Sequence, residues 1–231
     1  MRVLANTLGS ILGDRNLFGS LRIASSEGRS EYRSLQFKFE GRVPRFNYRA
    51  TYELSSAYGL GGYIAHRGCC STFSNDLTNF EAPGEWGPGP TDERHRIVLF
   101  GVFQLPYGFE ISPIYQLATA RPYTLTAGVD LNGDGVNNDR YVDPATGEKV
   151  AVGSARGDNT SILDLRVTRF FGLGGKRRTA AFAEFFNVMN TVNFGNSFVG
   201  NARSPLFSQP NALAIGLGEP FRAQFGFRFF F

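Results

Sequence analysis

Residues 221–231 read Phe221-Arg222-Ala223-Gln224-Phe225-Gly226-Phe227-Arg228-Phe229-Phe230-Phe231. Phe221, Ala223, Phe225, Phe227, Phe229 and Phe231 share one parity, and Arg222, Gln224, Gly226 and Arg228 take the other, with Phe230 breaking the rule. A period of two is the periodicity of a β-strand, whose side chains point alternately to opposite faces. A strand with so aromatic a face would pair edge to edge with its neighbours in water. In a membrane, hydrocarbon solvates the aromatic face and a wet lumen solvates the arginines.

The same alternation recurs upstream. In 30–40, Leu35, Phe37 and Phe39 oppose Ser34, Gln36, Lys38 and Glu40. In 45–57, Phe46, Tyr48, Ala50, Tyr52 and Leu54 oppose Asn47, Arg49, Thr51, Glu53 and Ser55. Further strands are predicted over 94–105, 109–120, 161–171, 178–188 and 219–230, with sequential neighbours paired antiparallel, and a weaker one over 16–25. The facing of 178–188 is ambiguous, because Glu184 shares a parity with Phe182 and Phe186. Short turns fall at 41–44, 106–108 and 172–177, whereas long polar links occupy 58–92, 121–160 and 189–218. Structureless links of that length are foreign to a compact soluble domain. They are usual in outer-membrane barrels, which have short periplasmic turns and long extracellular loops. Placing Phe231 at the periplasmic end puts every short turn on that side.

Composition agrees. The 231 residues include 28 Gly, 23 Phe and 9 Tyr but one Trp, and charged residues make up 19%, below the roughly 25% of soluble domains. No stretch approaches the ~18 apolar residues of a membrane helix. Only a closed barrel then leaves no backbone polar group unpaired in lipid. The formal charge of +4 comes from dispersed arginines, without the dense basic run that nucleic-acid binding would call for. The expected class is therefore all-β: an antiparallel, up-and-down transmembrane β-barrel segment of seven or eight strands, a partial barrel, in one domain over 1–231 in a bacterial outer membrane.

Several strings, in order, carry a resemblance: Gly28-Arg29-Ser30-Glu31-Tyr32-Arg33-Ser34-Leu35, Tyr52-Glu53-Leu54-Ser55, Asp92-Glu93-Arg94-His95-Arg96, Phe103-Gln104-Leu105-Pro106-Tyr107-Gly108, Ala120-Arg121-Pro122-Tyr123, Asn132-Gly133-Asp134-Gly135, and Glu184-Phe185-Phe186-Asn187-Val188-Met189-Asn190 followed by Asn193-Phe194-Gly195. Their order and spacing resemble the C-terminal barrel of TonB-dependent outer-membrane receptors of the Oar-like type, which carry a carboxypeptidase-regulatory-like domain. The resemblance implies substrate uptake, with a plug domain and the TonB energy-transducing system as partners of the full-length parent. The final aromatic ladder, Phe225, Phe227, Phe229 and Phe231, also looks like the signal read by barrel-assembly machinery. Met1 to Asp14 has neither the charged nor the apolar region of a secretory leader, and no plug is recognisable, so a fragment is expected. The rival readings are a self-standing eight-stranded barrel of structural or adhesive role, in which 16–25 pairs with 219–231, and a secreted carbohydrate-binding β-sandwich.

Three groups of residues invite functional readings. Asp130, Asn132, Asp134, Val136 and Asn138 occupy positions 1, 3, 5, 7 and 9 of a calcium loop with Gly135 at position 6, the pattern that delivers oxygens to a hard cation. Position 12 is Tyr141 where a bidentate Glu belongs, with Asp139 or Asp143 as substitutes. Asn-Gly and Asp-Gly are equally turn formers, so calcium stands beside a plain loop. Arg49, Glu53, Arg166, Arg222 and Arg228 are expected to face the lumen, as a paired polar wall, a substrate path or a plug-docking surface. Asp92-Glu93-Arg94-His95-Arg96 lacks a nucleophile or orienting constellation and reads as a salt-bridged rim, so no enzyme is expected. Cys69 and Cys70 are adjacent, with His66 the one nearby histidine, too few ligands for zinc.

Overall fold

The computed structural model describes residues 28–61, 79, 81–132, 137–175, 177–213 and 218–231. The strands are β1 (Ser30–Val43), β2 (Phe46–Leu60), β3 (Trp86–Pro88), β4 (His95–Gln104), β5 (Phe109–Ala118), β6 (Pro122–Tyr123), β7 (Ala155–Arg156), β8 (Thr160–Gly172), β9 (Arg178–Phe186) and β10 (Arg222–Phe230). The principal sheet runs β1-β2-β4-β5-β8-β9-β10, with β3 beside the far end of β2. Every pairing in it is antiparallel. Among the described residues β1 and β10 do not pair, so the sheet is an open segment of barrel. The seven long strands and their order are those expected from periodicity. The candidate strand over 16–25 lies outside the described residues.

One register runs across the whole sheet without slipping. Phe37 pairs with Tyr52, Tyr52 with Ile97, Ile97 with Leu117 and Leu117 with Ser161; beyond, Leu165 pairs with Phe185 and Phe185 with Ala223. Directly opposed residues share a face, so one face collects the aromatic and branched side chains and the other the polar ones. On the apolar face, rings meet across strands: Phe37 with Tyr52 at 6.3 Å, Phe39 with Tyr48 at 5.7 Å and Phe46 with Phe103 at 4.3 Å between centroids. Tyr48 lies over Gly41, where a Cβ would overlap the ring, and Phe182 covers Gly226 in the same manner on the polar face. A ring over a strand glycine restores the cross-strand contact that the glycine cannot make.

The first short turn is tighter than expected. It is only Pro44-Arg45, because β1 continues through Gly41-Arg42-Val43. Proline presets φ at the second turn position and Arg45 takes φ 71° at the third, the type II pattern. The 106–108 turn places Tyr107 at φ 60° and Gly108 at φ 76°, closed by Leu105 N donating to Phe109 O at 2.8 Å. The long links at the opposite end are not structureless, which corrects the sequence reading. β3 extends the sheet, β6 pairs with β7, and Thr126 bridges both Arg140 and Asn201. These contacts join segments some 15 to 75 residues apart, which no local periodicity encodes.

Gly226 and Gly172 separate register from mere glycine content. A side chain at 226 must displace the Phe182 ring, whereas nothing lies within 4 Å of a Cβ at 172. Gly226→Leu is expected to cost about 1–3 kcal/mol through overpacking. Gly172→Leu should stay within about 0.5 kcal/mol of the parent, both read from urea unfolding of the full-length protein in phospholipid vesicles.

Candidate functional site: the polar wall and its rim

The five residues expected to face the lumen all lie on the polar face, in register with Gln36, Glu40, Ser112 and Glu184. Arg49 Nε donates to Glu40 Oε2 at 3.0 Å, and Lys38 Nζ lies 3.2 Å from the same oxygen. Glu53 accepts a 2.5 Å bond from Tyr32 Oη. Arg166 Nη1 donates to Glu184 Oε1 at 2.7 Å and stacks over Phe182 at 4.1 Å. Arg222 pairs with Glu219 and lies 5.8 Å from the Phe186 ring. Arg228 holds its place on this face while its carbonyl accepts the Thr179 hydroxyl at 3.0 Å.

Glu184 is thereby resolved. It is a polar-face anion held between Arg166 of β8 and Gln224 of β10. Its same-parity neighbours Phe182 and Phe186 are platforms for guanidinium groups. Phe230 breaks the terminal alternation for the same reason, since it faces the polar side beneath Arg178, whose guanidinium carbon is 4.7 Å from its ring. A planar, weakly hydrated guanidinium is suited to such stacking. On a wall rich in arginine, aromatic residues are part of the polar surface. A concavity of about 380 Å³ opens on this wall between Gln36, Arg49, Thr51, Glu53, Arg96 and Ile114.

At the end opposite the short turns, the Asp92-Glu93-Arg94-His95-Arg96 string forms a rim. Asp92 is fully buried: Oδ1 accepts from Ala57 N at 2.8 Å and Oδ2 from Arg156 Nη1 at 3.1 Å. Glu93 binds Arg96 at 2.9 Å and Arg121 at 2.6 Å. His95 points instead to the apolar face, where Nδ1 lies 2.8 Å from Tyr52 Oη. A second buried pair, Glu85 with Arg140 at 2.8 Å, joins the 58–92 and 121–160 links. Asparagines complete the rim. Asn193, with no exposed surface, accepts from Ser161 N at 2.8 Å, and Asn187, at φ 49°, takes Thr191 N at 3.0 Å. Asn196 donates to Pro90 O at 3.1 Å and Pro122 O at 3.3 Å, tying three links together. Sequence reading placed the rim but missed Asp92 as its centre, along with the partners Arg121 and Arg156. Nothing local links residue 92 to residue 156.

A family model for outer membrane beta barrel domains matches residues 3–152. The chain belongs to that family. No curated protein and no solved structure matches it. Membership places the chain in the bacterial outer membrane; in such barrels the apolar face ordinarily meets hydrocarbon, the polar face the lumen and the short turns the periplasm.

Of the calcium-loop positions, Asp134 and Val136 lie outside the described residues, as do Cys69, Cys70 and His66. Asp139, considered as a substitute ligand, is fully buried and accepts from Leu131 N at 2.6 Å and Asn132 N at 3.3 Å through Oδ2, closing the loop on itself. Among the described residues its Oδ1 and the Oδ1 of Asn138 are buried without a hydrogen-bond partner. Such oxygens are where an ion or water is to be sought. We propose that these two oxygens, with Asp130 and Asn132, are the loop's donors for calcium.

Two expectations follow from this geometry. Phe227 faces hydrocarbon while Gln224 faces the lumen beside Glu184. Phe227→Arg is therefore expected to cost about 2–4 kcal/mol, and Gln224→Arg close to nothing, measured as folded barrel in outer-membrane fractions. Millimolar calcium is expected to protect 121–160 from proteolysis in the parent and not in Asp139→Asn, while calorimetry without a binding isotherm would reduce the loop to a turn.

Proposed function

We propose that the chain is the C-terminal barrel portion of a TonB-dependent-receptor-like transporter that takes part in substrate uptake across the outer membrane. The observation that supports this reading is the open sheet, whose β1 and β10 edges do not pair with each other among the described residues. Six successive antiparallel pairings separate β1 from β10, so the edges run the same way and an antiparallel barrel closes only with an odd number of further strands. A receptor barrel of about 22 strands supplies about 15 and an eight-stranded barrel supplies one, so both satisfy the parity and the width of the lumen has to separate them.

The wall supports a wide lumen. Arg49, Arg96, Phe100, Arg166, Phe182, Phe186 and Arg222 all project to the inner face. An eight-stranded interior is only just wide enough for its side chains to fill, whereas a wider barrel leaves these long side chains facing water. In the wider barrel the same arginines and glutamates, paired across strands, form a surface on which a plug domain docks or a polar substrate passes. This part is transport machinery rather than an enzyme, and the terminal ladder Phe225, Phe227, Phe229 and Phe231 serves the barrel-assembly machinery.

An antibody against residues 219–231 separates this reading from the self-standing barrel. In outer-membrane fractions it is expected to detect a product far larger than the 25.5 kDa of this chain, and that product should cross-link to the energy transducer in cells. A single product at 25.5 kDa that migrates as a compact, boiling-sensitive barrel would overturn it in favour of eight strands.

A further inference from the structure

The hydrocarbon face carries a lane flanked by an arginine. Along β9 the outward side chains Thr179, Ala181 and Ala183 are short. The register sets Ala181 beside Arg169 of β8 and Phe227 of β10, and Ala183 beside Val167 and Phe225. Thr179 lies between Phe171 and Phe229. Neighbouring strands are about 4.8 Å apart, so walls of larger side chains stand about 10 Å apart over a floor of small ones. The Thr179 hydroxyl is already committed to Arg228 O, which leaves the floor apolar.

Arg169 flanks this lane beside Ala181, one pair short of its short-turn end at Thr179 and three residues before Gly172 ends β8. Its guanidinium carbon lies 5.0 Å from the Phe109 ring and 4.9 Å from the Phe171 ring. Stacking holds the group against the face yet uses none of its five N–H donors. The other acidic and basic side chains of this face among the described residues are differently placed: Glu31 and Arg33 pair with each other, and His95 meets Tyr52. Among the described residues no carboxylate lies within ion-pairing distance of Arg169. The chain carries no Asp or Glu between Asp164 and Glu184, while Arg166, Arg169, Arg177 and Arg178 fall in that interval. An arginine at this depth reaches the headgroup region by extending along the apolar surface, and a phosphodiester matches its fork.

We propose that Arg169 and the β9 lane form a binding site for an anionic glycerophospholipid of the inner leaflet, with its phosphodiester on the Arg169 guanidinium and one acyl chain over Ala181 and Ala183. The lane supplies length and shape, and the arginine supplies the charge that selects the lipid. The site binds the leaflet that the short turns face, and it leaves the lumen wall untouched.

The test is native mass spectrometry of the full-length protein, extracted from outer membranes into detergent and titrated with phosphatidylglycerol or phosphatidylcholine. One phosphatidylglycerol is expected to be retained at least tenfold more tightly than phosphatidylcholine. Arg169→Gln should lose that preference, and Ala181→Leu, which fills the lane and leaves the charge, should weaken retention severalfold. Arg178→Gln is the control, since Arg178 lies at the same end but on the lumen face, and it should bind as the parent does. Equal retention of the two lipids by the parent, or unchanged retention in both Ala181→Leu and Arg169→Gln, overturns the site. An equal loss in Arg178→Gln would show that general surface charge holds the lipid. Displacement by millimolar inorganic phosphate, with Ala181→Leu indifferent, would leave only an anion site and no lipid lane. Should Arg169→Gln fail to fold, the parent's lipid preference and Ala181→Leu decide the matter.

Discussion

Inside hydrocarbon a backbone amide can bond to nothing except another part of the protein. Much of this structure answers that constraint. Seven long strands of 9 to 15 residues pair in a single uninterrupted register, and an isolated slip of one residue would turn a strand's aromatic set into the lumen. The rings of Tyr48 over Gly41 and Phe182 over Gly226 belong to the same requirement, since they keep cross-strand contact where glycine leaves the ladder bare.

Once the register is set, the two faces solve different solvation problems. The outer face needs area and little charge, and it is built mainly of Phe, Tyr, Leu, Ile, Val and Ala. The inner face is wet but crowded, so its charges are matched across strands: Arg49 with Glu40, and Arg166 with Glu184. Exposed pairs of this sort contribute little stability each. Their effect is on shape, because they and the rings beneath Arg166, Arg178 and Arg222 hold long side chains flat against the wall.

The outer links follow a third logic. They lie beyond the sheet, where water is available, yet they bury Asp92, Asp139, Asn193 and the Glu85–Arg140 pair. A buried charge is tolerated only with its partners in place. Asp92 and the Glu85–Arg140 pair therefore bind the 58–92 link to the 121–160 link, while Asn193 fastens its link to the start of β8 and Asp139 closes its own loop.

The strand set, its antiparallel order and its two faces were legible in the sequence, because period-two alternation is local and the short turns are marked by Pro44, Pro106 and the glycines at 172, 174 and 175. The shared polar face of Arg49, Glu53, Arg166, Arg222 and Arg228 followed from the same parity. Other features were settled only when distant segments met. Parity could not say which way Glu184 faced, since a phenylalanine beside a guanidinium counts as polar surface only when the arginine is supplied by the next strand. Asp92 looked like one charge in a charged string until Ala57 and Arg156 closed around it. Asp139 became the closure of its own loop through backbone amides eight and seven residues away. Alternation records which solvent a side chain meets, and that is written residue by residue. Pairing between links depends on where the chain returns, and that is decided by the tertiary structure.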